Sequence, residues 1–198
     1  MRAMLGAMSA ARKMTVDQWG QLDDKDFREL VDGVLEEAEM PGLLHDMVMS
    51  WLLVALYPYF RKRRGFAIGQ GPKLVIRPDR GRVPDTICFL GSKFEKQGVV
   101  RTAPDIVIEI ISPRPRDARR DRIDKRADYA EMGVKQYWLV DPEVRTFEIF
   151  QLGAKRRYTL VASASSGKLR RIPTFSGLVI DLDDLWSEVD RMGDPTAE

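Results

Sequence analysis

A carboxylate set into a run of β-branched residues is the first feature of this sequence that asks for a chemical explanation. From Ile106 to Ile111 the chain reads Ile-Val-Ile-Glu-Ile-Ile, bounded by Pro104-Asp105 and Ser112-Pro113. So short and apolar a run predicts a strand in the middle of a covered sheet. Glutamate is almost never buried in such a place unless it is paired or metal-bound. Glu109 is therefore the candidate pivot of a metal-dependent phosphodiester-cleaving site.

Strand geometry selects its partner. Two Pro-Asp pairs exist, Pro84-Asp85 and Pro104-Asp105. Asp105 shares a strand face with Glu109 but lies four residues away, about 13 Å at roughly 3.3 Å per residue. That is too far for one Mg²⁺ with bonds of about 2.1 Å. Asp85 belongs to the preceding extended segment, and neighbouring strands lie only about 4.8 Å apart. With those strands adjacent and in register, Asp85 and Glu109 form the workable metal pair, and Asp105 becomes a strand-entry residue with at most a supporting role.

A cation has to come from the next element, a helix expected over 117–131 that stops at Gly133. Asp121, Lys125 and Tyr129 follow one another at i, i+4 and i+8 along one edge, with Ile123, Ala127 and Ala130 as the apolar face. A lysine on that edge can reach the strand end near Glu109. A solvent-exposed Asp121–Lys125 pair worth about 0.3–0.5 kcal/mol is the plainer alternative, and spacing alone favours it. Asp117, Asp121, Asp124 and Asp128 form a stripe better suited to pairing with arginines in solvent than to holding a metal. His45, the only histidine, precedes a long helix, where a structural partner is more common than a catalyst.

The elements that position these residues are legible in outline. A short helix is expected over 23–31 with Gly33 after its end, a brief strand over 34–38, and a long helix from Asp46 to about Arg63. That long helix should turn Met47, Trp51 and Val54 inward and end or kink near Pro58. Extended segments follow at 66–68, 73–76, 83–90 and 106–111. A hairpin of 136–140 with 146–151, further strands at 158–162 and 178–180, and a closing helix over 182–191 complete the chain. Helices alternating with strands give an α/β class, a central mixed β-sheet flanked by helices.

Composition sets limits. The 198 residues suffice for one packed domain, expected over 15–191, with 1–14 as a disordered lead and 192–198 as a flexible tail. No membrane span is expected. One cysteine, Cys88, excludes an internal disulfide and a cysteine-built metal cluster, and suits a reducing cytoplasmic setting. A net charge of +2 announces no nucleic-acid partner by itself. Basic residues do cluster at Arg61-Lys62-Arg63-Arg64 and through Arg114–Arg126, and either run fits a solvated face. Tyr137, Trp138, Trp186 and Cys88 read as packing residues.

Taken in order, Pro84-Asp85, Ala103-Pro104-Asp105-Ile106-Val107-Ile108-Glu109-Ile110-Ile111-Ser112-Pro113, Asp121-x3-Lys125-x3-Tyr129 and Gly133-Val134-Lys135-Gln136-Tyr137-Trp138-Leu139-Val140-Asp141-Pro142 resemble the Uma-type family of restriction endonucleases, within the PD-(D/E)xK nuclease superfamily. The likeness runs from about Leu30 to Trp186 and includes Asp32-Gly33 and the stretch ending at His45. It implies a restriction-endonuclease-like fold, Mg²⁺ or Mn²⁺ as cofactor, a DNA substrate, and Asp85, Glu109 and Lys125 at the active-site positions. Many such nucleases carry the lysine two residues after the glutamate, where this chain has Ile111; the resemblance moves it onto the following helix. Where the family often reads Ser-Pro-Ser-Thr, this chain has Ser112-Pro113-Arg114-Pro115, a stiffer and more basic loop. On this reading Asp121 positions Lys125, while Arg114, Arg116 and Arg119 meet flanking phosphates. A homodimer would bring the two sites that double-strand cutting needs. The rival readings are a binding protein that keeps the fold without turnover, which Ile111 favours, and a hydrolase of another phosphodiester such as RNA.

Overall fold

Two local signals shape the start of the chain. Thr15 caps α1 (Val16–Gly20) through a reciprocal box with Gln18. Asp32-Gly33 then turns the chain between β1 (Glu29–Val31) and β2 (Val34–Glu36). Both turn residues have positive φ, 50° and 80°, the twist that suits a two-residue hairpin. The helix expected over 23–31 is therefore not formed, because Asp-Gly acts here as a hairpin turn and not as a helix stop. The computed structural model describes residues 13–23, 25–37, 42–69, 72–91, 95, 97–112 and 120–193. Most of the expected lead and tail lies outside them, but Met14 donates to the Gly33 carbonyl at 2.9 Å and packs beside Trp19.

The remaining elements are α2 (Leu43–Lys62), β3 (Phe66–Gly69), β4 (Leu74–Arg77), β5 (Arg80–Arg82), β6 (Thr86–Phe89) and β7 (Ile106–Ile110). After them come π-helical turns at Arg120–Lys125 running into α3 (Arg126–Met132), then β8 (Gln136–Asp141), β9 (Thr146–Leu152), β10 (Tyr158–Ala164), β11 (Lys168–Leu169), β12 (Ile180–Asp181) and α4 (Leu182–Asp190). The main sheet has six strands in the order β10-β9-β8-β7-β6-β3. It is mixed: β7 and β8 run parallel across the α3 crossover, and the other pairs are antiparallel. A second sheet, β2-β1-β5-β4, is antiparallel throughout, and β11 pairs with β12. The segments expected at 66–68 and 73–76 thus belong to different sheets. The segment 83–90 begins its ladder only at Thr86, leaving Asp85 just ahead of β6.

All five residues of β7 are buried, as a central strand requires. Ile106, Ile108 and Ile110 face a core built with α2 and α4, where Leu52, Leu56, Phe60, Leu185 and Trp186 pack. Val107 and Ile111 face the other side with Tyr129, Val134, Tyr137 and Leu139. On α2 the fully buried residues are Val48, Leu52, Leu56 and Phe60, and Pro58 sits inside the helix without ending it. The inward stripe expected through Met47, Trp51 and Val54 is displaced; Val54 is 74% exposed. The helix is apolar on nearly every side, so its periodicity did not define a face. By length and composition α2 would suffice to cross a membrane, yet here it forms the core layer beneath the sheet.

Gly81 shows how tightly the second sheet is closed. It lies opposite Leu30 and Val75, and a Cβ there would come 2.1 Å from Cζ3 of the fully buried Trp19. Gly81→Ala should lower unfolding stability by about 1–3 kcal/mol, the usual cost of overpacking. A urea midpoint equal to that of the unaltered protein would refute this account of the packing.

Candidate active site

The ladder between β6 and β7 decides which carboxylates meet. Thr86 pairs with Ile108 and Ile87 with Val107; the ladder ends at Thr86, with Asp85 just ahead of β6 and Glu109 next along β7. Asp85 Oδ2 accepts a 2.7 Å hydrogen bond from the Ile110 amide and lies 3.1 Å from His45 Nε2. His45 reaches it from the first turn of α2, on one side of the sheet. Glu109 points to the other side, where it is 1% exposed. There its Oε2 accepts from Lys125 Nζ at 2.9 Å and its Oε1 from the Tyr129 hydroxyl at 2.5 Å. Asp85 therefore sits at the sheet end, between the two faces.

Lys125 closes the π-helical turns and Tyr129 follows one α-turn later, so both reach down onto Glu109. Of the apolar face expected for this helix only Ala130 is buried; Ile123 is 52% exposed and Ala127 is exposed, while Lys125, Asp128 and Tyr129 are buried. Polar residues can face inward because charges wait beneath them. Arg82, 2% exposed, holds Glu29 Oε2 at 2.7 Å and Asp128 Oδ2 at 2.7 Å. Glu29 also accepts from the Val83 amide at 3.1 Å and comes within 3.7 Å of Lys125 Nζ. Arg80 carries the network outward from Asp128 to Asp32. Burial opposes the Arg82 charge, but Glu29 and Asp128 outweigh it and hold the guanidinium pKa above its ordinary value. Burial likewise raises the Tyr129 phenol, and the Glu109 charge adds to it, so Tyr129 stays a donor to Glu109.

The other residues expected at the site fall as follows. Asp105 lies at the opposite end of β7, where Oδ2 accepts from the Leu90 amide at 2.6 Å and Oδ1 from Lys135 Nζ at 2.5 Å. It ties the strand entry together. Asp121 is within the π-helical turns, with its side chain outside the described residues, as are Arg114, Arg116 and Arg119. Arg122 is engaged by Glu148 at 2.8 Å and Asp141 at 3.1 Å, and Arg126 lies 5.2 Å over the Phe150 ring. The Arg61–Arg64 cluster ends α2, roughly 27 Å along the helix axis from His45. Glu29, Arg82, Asp128 and Tyr129 were not expected in contact with the site. Tyr129 was foreshadowed by its spacing from Lys125, and Asp128 by the expected pairing with arginines, which forms in the interior and not in solvent; buried arginine on a three-residue strand leaves no periodic trace.

A mixed sheet between helices with acidic residues gathered at the ends of two central strands defines a restriction-endonuclease-like protein. The model of the Uma2 family, described as "Putative restriction endonuclease", matches residues 16–183, and the chain belongs to that family. It is similar to a solved structure from Anabaena variabilis ATCC 29413, described as a "putative nuclease belonging to DUF820", with a TM-score of 0.70 and 21% identity over 89% of this chain and 99% of that one. No curated protein matches it.

Two outcomes follow from the charges. Arg82→Met strands Glu29 and Asp128 without their cation and should cost about 3–5 kcal/mol in a urea titration. Arg77→Met, in the exposed part of the network, should cost no more than about 1 kcal/mol; equal losses would refute the buried pairing. For His45, burial works against the charge, but the Asp85 hydrogen bond and the charges of Asp85 and Asp46 prevail and raise its pKa above 6.5. Its stabilisation is then full below the unfolded value of 6.5 and fades as pH rises through the raised folded value. In chelator, the Tm gap between the unaltered protein and His45→Gln should shrink across that window. A pH-independent gap would show that the pair carries no charge.

Proposed function

We propose that the chain is a divalent-metal-dependent endonuclease acting on DNA, with Asp85 and Glu109 as the metal ligands and Lys125 as the cation beside them. The observation that carries this reading is the conjunction of Glu109 on β7, a buried lysine 2.9 Å from it, and Asp85 just ahead of β6, held by the amide of the next β7 residue, Ile110. No group of three or more His, Cys, Asp or Glu among the described residues could cage a metal. Two carboxylates nevertheless fit Mg²⁺ or Mn²⁺, since Mg²⁺ is usually held by one or two carboxylates and completes its shell with water and phosphate oxygens. When bound, the ion would hold the scissile phosphate and lower the pKa of a water molecule.

The chain's own groups do the rest. The Ile110 amide and His45 fix the rotamer of Asp85 at the sheet end. Lys125 and Tyr129 hold the two oxygens of Glu109 and aim them; with phosphate present, the lysine offsets charge developing on it. Glu29 acts through Lys125, limiting how far its ammonium group can swing. Arg114, Arg116 and Arg119 supply phosphate contacts that weaken with salt. Cutting both strands calls for two copies. A buried, unpaired Cys88 suits a cytoplasmic protein. The second reading, a nuclease fold without turnover, draws on Ile111, which is 4% exposed in the core where many relatives of the fold carry lysine.

The test is incubation with supercoiled DNA, single-stranded DNA and RNA in Mg²⁺, Mn²⁺ or chelator. Nicking of the supercoiled DNA should require metal and fall by roughly 10²-fold or more in Asp85→Asn, Glu109→Gln and Lys125→Met. Unaltered cleavage in Asp85→Asn and Glu109→Gln would sink the assignment. Calorimetric metal binding that survives both substitutions would do the same.

A further inference from the structure

The outer side of α2 is a feature that the site leaves unexplained. At 100° per residue, Leu43, Asp46, Ser50, Val54, Tyr57 and Arg61 fall within an arc of about 80°, opposite the stripe packed on the sheet. Val54 is 74% exposed, Leu43 81% and Tyr57 48%. An amphipathic surface helix places polar residues there; this one offers aliphatic and aromatic side chains over four turns, with one acidic residue near its start and one basic residue near its end.

We infer that this face docks against the same face of a second copy, the two α2 helices running antiparallel about a two-fold axis that passes between Leu53 and Val54. That register makes the pattern self-complementary, as an isologous interface must be. Asp46, whose Oδ1 is buried 3.7 Å from His45 Nδ1 but whose side chain is 48% exposed, turns its other oxygen to Arg61 of the second copy, and the small Ser50 receives the large Tyr57. Arg61 already lies 6.0 Å over the Tyr57 ring of its own helix, so its head is held toward the seam. Antiparallel alignment also opposes the two helix dipoles. The alternative parallel pairing sets Asp46 against Asp46 and Arg61 against Arg61. His45 lies on the far side of α2, so both candidate sites stay open, about 26 Å apart along the helix axes. The surface is argued from packing and charge alone and holds whether or not the chain cuts DNA.

The test uses the full chain. Sedimentation should show a dimer, and Val54→Glu should raise its dissociation constant about tenfold or more without changing the Tm of the diluted monomer. Arg61→Glu should weaken the dimer as well, and adding Asp46→Arg should restore it. Under oxidised glutathione, Val54→Cys should cross-link between copies, whereas Val144→Cys, 63% exposed on the β8–β9 turn, should not; native Cys88 is buried. A wild-type monomer at every soluble concentration would overturn the inference, as would equal cross-linking at both positions. Binding of the monomer to phosphatidylglycerol vesicles, lost in Val54→Glu, would assign the face to a membrane surface instead. A monomer destabilised by Val54→Glu would show that the chain's own residues cover it.

Discussion

A carboxylate buried inside a six-stranded sheet is the constraint on which much of this structure depends. Removing a carboxylate from water costs several kcal/mol even after relaxation, and Glu109 is 1% exposed. Two donors, Lys125 and Tyr129, meet its two oxygens. Both come from the crossover between β7 and β8, the one connection that must return over this face of the sheet to make a parallel pair. Topology and charge compensation are thus met by the same segment. A crossover with an apolar inner face would pack well and leave Glu109 without partners.

Satisfying one charge creates others. A helix that turns lysine and aspartate inward needs a floor that can receive them, and the second sheet supplies it. Its β5 offers Arg82 between Glu29 and Asp128, while Trp19 and Leu30 close the side away from the site. The second sheet is small, its strands are short, and its own apolar cluster centres on Trp19 and Leu30. The chain of ion pairs from Glu29 through Arg82, Asp128 and Arg80 to Asp32 ties it to α3. Stability of this layer and the aim of Lys125 are consequently the same interaction seen from two ends.

This coupling also explains what the sequence could and could not reveal. The β7 strand, the neighbouring of β6 and β7 and the Gly133 stop were legible because they follow from strand period, strand spacing and left-handed backbone, with Gly133 at φ 95°. The inner face of α3 was misread because binary patterning assigns charged residues to solvent. It fails where buried charges are paired across elements distant in sequence, as Glu29, Arg82 and Asp128 are. Asp32-Gly33 was misread for a different reason, since an αL glycine suits a helix end and a hairpin equally well. The inward face of α2 was unreadable by any periodicity, because its outer face is apolar too.

Register is where fold and site finally become one problem. β7 and β8 are buried on both faces, so an apolar pattern alone would scarcely oppose a slip of one residue between them. A slip of one residue sends every side chain to the other face. Glu109 would then enter the core of Leu52, Leu56 and Phe60, away from Lys125 and Tyr129, at a cost of several kcal/mol. The charge that is hardest to bury is therefore also the residue that fixes the alignment of the central strands. The β6–β7 ladder runs beside the same strand, and there the Ile110 amide holds Asp85 Oδ2 one residue beyond Glu109, so the candidate carboxylates approach each other only while Glu109 keeps its face.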